Sequence, residues 1–150
     1  MNKKTLSFCL VGLFCLNASA FQLGLEFGVG NDVHVGTNMR FTELFELKPQ
    51  LAFGFGEDYG MFDLIIDANF YLPELGELQH YAGPGISLNV ESGNNNGVFT
   101  LNGHYGLRYN INDIVSIFGQ IGFGMEFDPF VLKTFRNGVG ITFYLPTGGF

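Results

Sequence analysis

Nine charged side chains share one phase of an every-other-residue pattern: Glu26, Arg40, Glu46, Lys48, Asp63, Asp67, Arg108, Glu126 and Arg136. Counting outward from the short turns, Glu26 comes opposite Arg40 and Arg40 lies near Glu46. Lys48 falls one diagonal step from Asp67, and Arg136 one diagonal step from Glu126. Opposite charges gathered in a low-dielectric interior can do one of two things. They can neutralise one another as a rigid plug, because a buried charge must be paired. They can also line a path for ions or protons. The plug is the favoured reading. Metal chemistry is not expected, since His34, His80 and His104 show no His-x-x-His or Glu-x-x-His spacing. Ser87 and Ser116 form no legible Ser-His-acid set. Cys9 and Cys15 are the only cysteines, and both lie in the first twenty residues. The rest of the chain therefore has no thiol for a disulfide, a nucleophile or a zinc ion. No cofactor and no catalytic residue is expected, and the chain reads as a non-enzyme.

Such charges need rigid elements to hold them. From Phe21 onward apolar and polar residues alternate, which is the signature of strands. The pattern predicts eight of them: 21–29, 33–41, 45–55, 62–72, 81–90, 98–109, 115–127 and about 134–145. Each is near the ~9–11 residues that cross a bilayer as a tilted strand. Turn chemistry separates them, at Asn31-Asp32, Glu57-Asp58-Tyr59-Gly60, 73–78 with His80 at the same turn, 92–97, 110–113 and Asp128-Pro129. A chain of 150 residues allows one domain, and no linker divides it.

Which face looks inward follows from volume. The apolar phase carries about five large side chains per strand, and an eight-stranded barrel has an interior only just filled by side chains. So many Phe, Leu, Ile and Val residues do not fit inside. The other phase is rich in small residues, including Gly24, Gly28, Gly36, Gly54, Gly83, Gly85, Gly106, Gly122, Gly124, Gly138 and Gly140. Glycine weakens a water-facing strand but suits a crowded lumen. All nine charges lie on that glycine-bearing phase. A soluble two-sheet sandwich would explain the alternation but not the glycines. The fold class is therefore all-β, an eight-stranded antiparallel up-and-down transmembrane β-barrel. Phe41, Phe45, Phe70 and Tyr109 fall at one rim and Phe27, Phe55, Phe62 and Phe99 at the other, as interfacial girdles.

Composition agrees. The chain is 47% hydrophobic and 14% charged, against about 25% charged in ordinary soluble domains, and it is too apolar for a disordered chain. A net charge of −7 without a basic stripe argues against nucleic acid as a partner. Residues 1–20 read as a cleaved signal peptide. Lys3 and Lys4 form the basic region, 5–16 the apolar region, and Ala18-Ser19-Ala20 the cleavage site. The barrel domain is 21–150.

On these residues the chain resembles the small eight-stranded outer-membrane barrels of Gram-negative bacteria, the class of outer-membrane protein X and the barrel of outer-membrane protein A. The last strand carries the most specific part. Arg136, Gly138, Ile141 and Phe143 match the polar, glycine, hydrophobic and aromatic positions of the assembly signal in that class, and Phe150 ends the chain. Either Phe143 or Phe150 can be the aromatic that is read. Tyr81-Ala82-Gly83-Pro84-Gly85-Ile86 resembles a strand type common in such barrels. The resemblance implies residence in the outer membrane, among its lipids and lipopolysaccharide, after passage by periplasmic chaperones and the barrel-assembly machinery. It implies that both chain ends face the periplasm and that the turns near Asn31, Asp58, Asn95 and Pro129 face outward. Those turns are short for an adhesive member. Acidic turn residues such as Glu57 and Asp58 offer oxygen ligands for divalent cations bridging to lipopolysaccharide. Lipid A deacylases of this kind place a serine two residues after a histidine, whereas His104 is followed by Tyr105 and Gly106. The expected role is structural or a cell-surface interaction, by a monomer. A narrow pore and a lipid A-modifying enzyme are the alternatives.

Overall fold

A period-two pattern puts successive side chains on opposite faces of an extended chain, and the protein forms strands wherever that pattern runs. The computed structural model describes residues 21–55, 60–91, 97–127, 130–134 and 137–146. Nine strands follow one another: β1 (Gln22–Gly30), β2 (Val33–Thr42), β3 (Phe45–Phe55), β4 (Gly60–Tyr71), β5 (Leu78–Glu91), β6 (Val98–Asn110), β7 (Val115–Phe127), β8 (Phe130–Thr134) and β9 (Gly138–Tyr144). Every pairing is antiparallel. Each strand from β1 to β7 pairs with the next, and β9 pairs with both β7 and β1. The sheet thus closes on itself as a barrel of eight staves, the eighth made of β8 and β9 together.

Two boundaries differ from the sequence reading by three residues or more. β5 begins at Leu78, so His80 lies in a strand and not in a turn. Leu78 to Tyr81 find partners from Tyr109 to Gly106, which extends the ladder. The turn before it is closed by the Leu75–Leu78 bridge, with Gly76 at φ 68°, a left-handed position that glycine adopts without a Cβ penalty. The eighth stave begins at Phe130, and β8 and β9 meet β7 in registers that differ by one residue. Between them Asn137 supplies its side-chain carbonyl to the backbone N–H of Gly122 at 2.9 Å. A buried N–H left without a ladder partner costs free energy comparable to a lost hydrogen bond.

The barrel is apolar outside and polar inside. Among the described residues the buried set holds seventeen polar or charged side chains against six hydrophobic ones. The exposed large residues are the apolar-phase Leu, Ile, Val and Phe of the strands, such as Leu25, Leu64, Ile86, Ile121 and Phe143. Near the mouth that carries Gln22, four outward phenylalanines form a continuous ladder. Phe21, Phe41, Phe45 and Phe70 stand at successive centroid separations of 5.7, 6.1 and 5.3 Å.

Candidate functional site

Among the described residues the buried side chains gather in the lumen, and they come from every stave. On β1, Glu26 points inward with Gly24 and Gly28 on either side in phase. Its carboxylate is fully buried and surrounded. Lys48 Nζ lies 2.7 Å from Oε1, and Gln50 donates to the same oxygen at 2.9 Å. Asn38 donates to Oε2 at 2.9 Å and Thr142 at 3.2 Å. Arg108 stands 3.6 Å from Oε2.

Glu46, on β3, is the second centre. Arg108 reaches it from β6, across the lumen, with Nη1 to Oε2 at 2.9 Å. Asn69 donates to Oε1 at 2.9 Å, and the Tyr71 hydroxyl to Oε2 at 3.1 Å. Arg108 Nη1 also donates to the Tyr71 hydroxyl and, at 2.5 Å, to the Tyr144 hydroxyl. Lys48 lies over the Phe118 ring at 4.8 Å. Two carboxylates and two cations, all fully buried, therefore form a neutral set with several hydrogen bonds per carboxylate. Such geometry is what a buried charge needs if it is not to destabilise the fold.

The glycines make room for it. A Cβ on Gly106 would fall 2.3 Å from the ring of Tyr81, its cross-strand partner. The same holds for Gly28 and His34 at 2.2 Å, for Gly36 and Gln50 at 2.4 Å, and for Gly140 and Phe118 at 2.5 Å. Each of these four side chains lies in the slot left by a glycine on the neighbouring strand. Two other strand glycines are unlike them. Gly103 and Gly119 sit on the outward phase, with open space or only loose contact around their Cβ positions.

The nine charges are not joined as the spacing suggests. Glu26 is opposite Gly36, not Arg40, because the first hairpin is tight and centred on Asn31. Arg40 instead pairs with Gln22. Arg40 and Glu46 are level on adjacent strands, yet Glu46 is held by Arg108. Lys48 is directly opposite Asp67 rather than one diagonal step away, and its ion pair is with Glu26. Asp63 and Asp67 are buried on β4, Asp67 beside Gly85. Glu126 is paired with Lys133 of β8, a residue the sequence reading did not single out. Arg136 and Phe150 lie outside the described residues, as do Glu57, Asp58 and the whole of 1–20. Gly138, Ile141 and Phe143 are in β9, the strand that closes the barrel.

Several lumenal residues were missed. Tyr71, Tyr81, Phe118 and Tyr144 are buried aromatics on the inward phase. Their parity gave them away, since Tyr71 continues Asp63, Asp67 and Asn69, and Tyr144 continues Thr142. His34 is also buried on the inward face. Its Nδ1 is 3.3 Å from Asp32 and its Nε2 3.8 Å from Glu26. Among the described residues no three His, Cys, Asp or Glu side chains converge as a metal ion requires.

No protein-family model matches the chain, and no curated protein sequence matches it. Solved structures do. Neisserial surface protein A aligns with a TM-score of 0.61 at 10% identity, over 82% of this chain and 93% of the other. A de novo designed transmembrane β-barrel aligns at 0.59 and 15% identity, over 83% and 95%. The outer-membrane protein Ail of Yersinia pestis, in a phospholipid bilayer nanodisc, aligns at 0.53 and 9% identity, over 83% and 99%. The fold is that of the small eight-stranded transmembrane barrels.

Proposed function

We propose that this chain is an outer-membrane β-barrel protein whose lumen is closed by paired charges and whose role is structural or a cell-surface interaction. One observation carries the reading. The surface is apolar around the whole barrel while Glu26, Glu46, Lys48 and Arg108 are fully buried at its axis. In water that distribution is inverted and would aggregate. In a bilayer it is the expected one. The likeness to outer-membrane barrels supports the address.

The Arg108–Glu46 pair spans the lumen, and the surrounding amides and tyrosines fill it. A plugged lumen fits a scaffold better than a conductor. On this reading residues 1–20 direct export and are removed. Periplasmic chaperones and the assembly machinery then take the chain, with Gly138, Ile141 and Phe143 in the strand that is read. Its neighbours at rest are outer-membrane lipids and lipopolysaccharide.

Membrane fractionation combined with heat-modifiable gel mobility tests the proposal. The protein should sediment with the outer membrane and run faster unheated than boiled. Planar bilayers should show no unitary steps. Recovery in the soluble periplasm without a folded-form shift would overturn the reading.

A further inference from the structure

Arg40 stands apart from the other described cations. Lys48, Arg108 and Lys133 each meet a carboxylate. Among the described residues Arg40 meets none. It is nevertheless held in place. Its Nε donates to the Thr42 carbonyl at 3.4 Å and its Nη2 to the Glu43 carbonyl at 2.9 Å. Its guanidinium carbon lies 4.4 Å from the centroid of the Tyr71 ring. The register shifts between Arg40 and Thr42, and a bulge of this kind re-aims side chains at barrel rims. These contacts fix the guanidinium and leave its charge uncompensated.

The same residue lines a cavity of about 650 Å³ at the barrel mouth, where β1 begins and the β4–β5 turn folds over. That volume is in the range of small-molecule sites. Glu43 and Glu74 are exposed and also line it, and neither makes an ion pair with a described residue. Gln22 and Gln79 add amides, and Tyr71 a ring face. A simple anion entering here gains Arg40 but meets two carboxylates. A simple cation gains the carboxylates but meets Arg40. A molecule carrying both charges satisfies both.

We propose that this cavity binds a zwitterion of amino-acid to short-peptide size, its carboxylate on Arg40 and its ammonium toward Glu43 and Glu74. Guanidinium and carboxylate match in a two-point hydrogen-bonding geometry, and the carbonyl and ring contacts of Arg40 pre-organise it for that partner. The site rests on the barrel fold and not on the membrane in which the barrel resides.

The test is titration calorimetry on the full chain refolded in detergent micelles. The probes are alanyl-alanine, its C-terminal amide, its N-acetyl form and inorganic phosphate. The free dipeptide should bind saturably. Amidation of the probe, or Arg40→Gln in the protein, should weaken binding by about tenfold or more, as the loss of a charge-assisted hydrogen bond implies. N-acetylation, or the double change Glu43→Gln with Glu74→Gln, should weaken it several-fold. Each variant is checked for the folded gel form, and the probe comparisons on unaltered protein do not depend on any variant folding. No saturable binding of the free dipeptide overturns the proposal. So does equal affinity for the amide, or phosphate binding as tightly as the dipeptide.

Discussion

Arg108 and Glu46 meet across the barrel axis at 2.9 Å, both fully buried, although they stand three staves apart. The pair ties opposite walls of the sheet together. Removing one member leaves the other charged and unpartnered in a low-dielectric space, at a cost of ~3–5 kcal/mol. Arg108→Met should therefore lower unfolding free energy in urea by about that amount. The double variant Arg108→Met with Glu46→Gln should be more stable than Arg108→Met alone. A double variant no better than the single one would mean that the two do not act as a pair.

Glycines on the two faces should behave oppositely. A Cβ on Gly83 would fall 1.7 Å from the Ala68 carbonyl oxygen, a backbone atom that cannot swing aside. Gly83→Ala should cost about 1–3 kcal/mol as overpacking. Gly103 faces outward with nothing within 4 Å of its Cβ position. Gly103→Ala should be neutral or stabilising by up to about 1 kcal/mol, through loss of unfolded-state freedom. Paired urea titrations read the difference, and equal effects at the two sites would contradict the assignment of faces.

Charge on the outer wall is a direct probe of the surrounding medium. Leu64 and Ile121 are outward and roughly half exposed. Leu64→Arg or Ile121→Arg should cost up to ~2–4 kcal/mol in lipid vesicles, depending on depth. In a soluble protein an arginine at a half-exposed position would be nearly neutral. Refolding yield into vesicles, followed by gel mobility, distinguishes the two.

The break in the eighth stave gives a local test. Asn137 accepts the Gly122 N–H with its side chain at 2.9 Å. Asn137→Ala should expose that amide, speeding its hydrogen exchange more than that of Gln120 or Gly124. The global cost should be about 1 kcal/mol. Unchanged protection at Gly122 would show that the side chain is not its partner.

Eight staves and two faces were legible in the order of residues, because side-chain alternation is a local property of extended chain. Even the missed lumenal tyrosines, Tyr71 and Tyr144, obeyed the same parity, though an aromatic in such a pattern reads more readily as a girdle residue. Partnership among the charges was not legible. Glu26 sits four residues away from the level of Arg40 because of one tight hairpin, and a single turn cannot be centred by composition alone. Arg108 reaches Glu46 across the middle of the barrel, a distance set by closure and stagger rather than by any neighbour in sequence. The pairing of buried ions and the orphaned Arg40 at the mouth were therefore decided by the curved, closed sheet. Coulomb energy and hydrogen bonding depend on positions in space, which alternation along the chain does not specify.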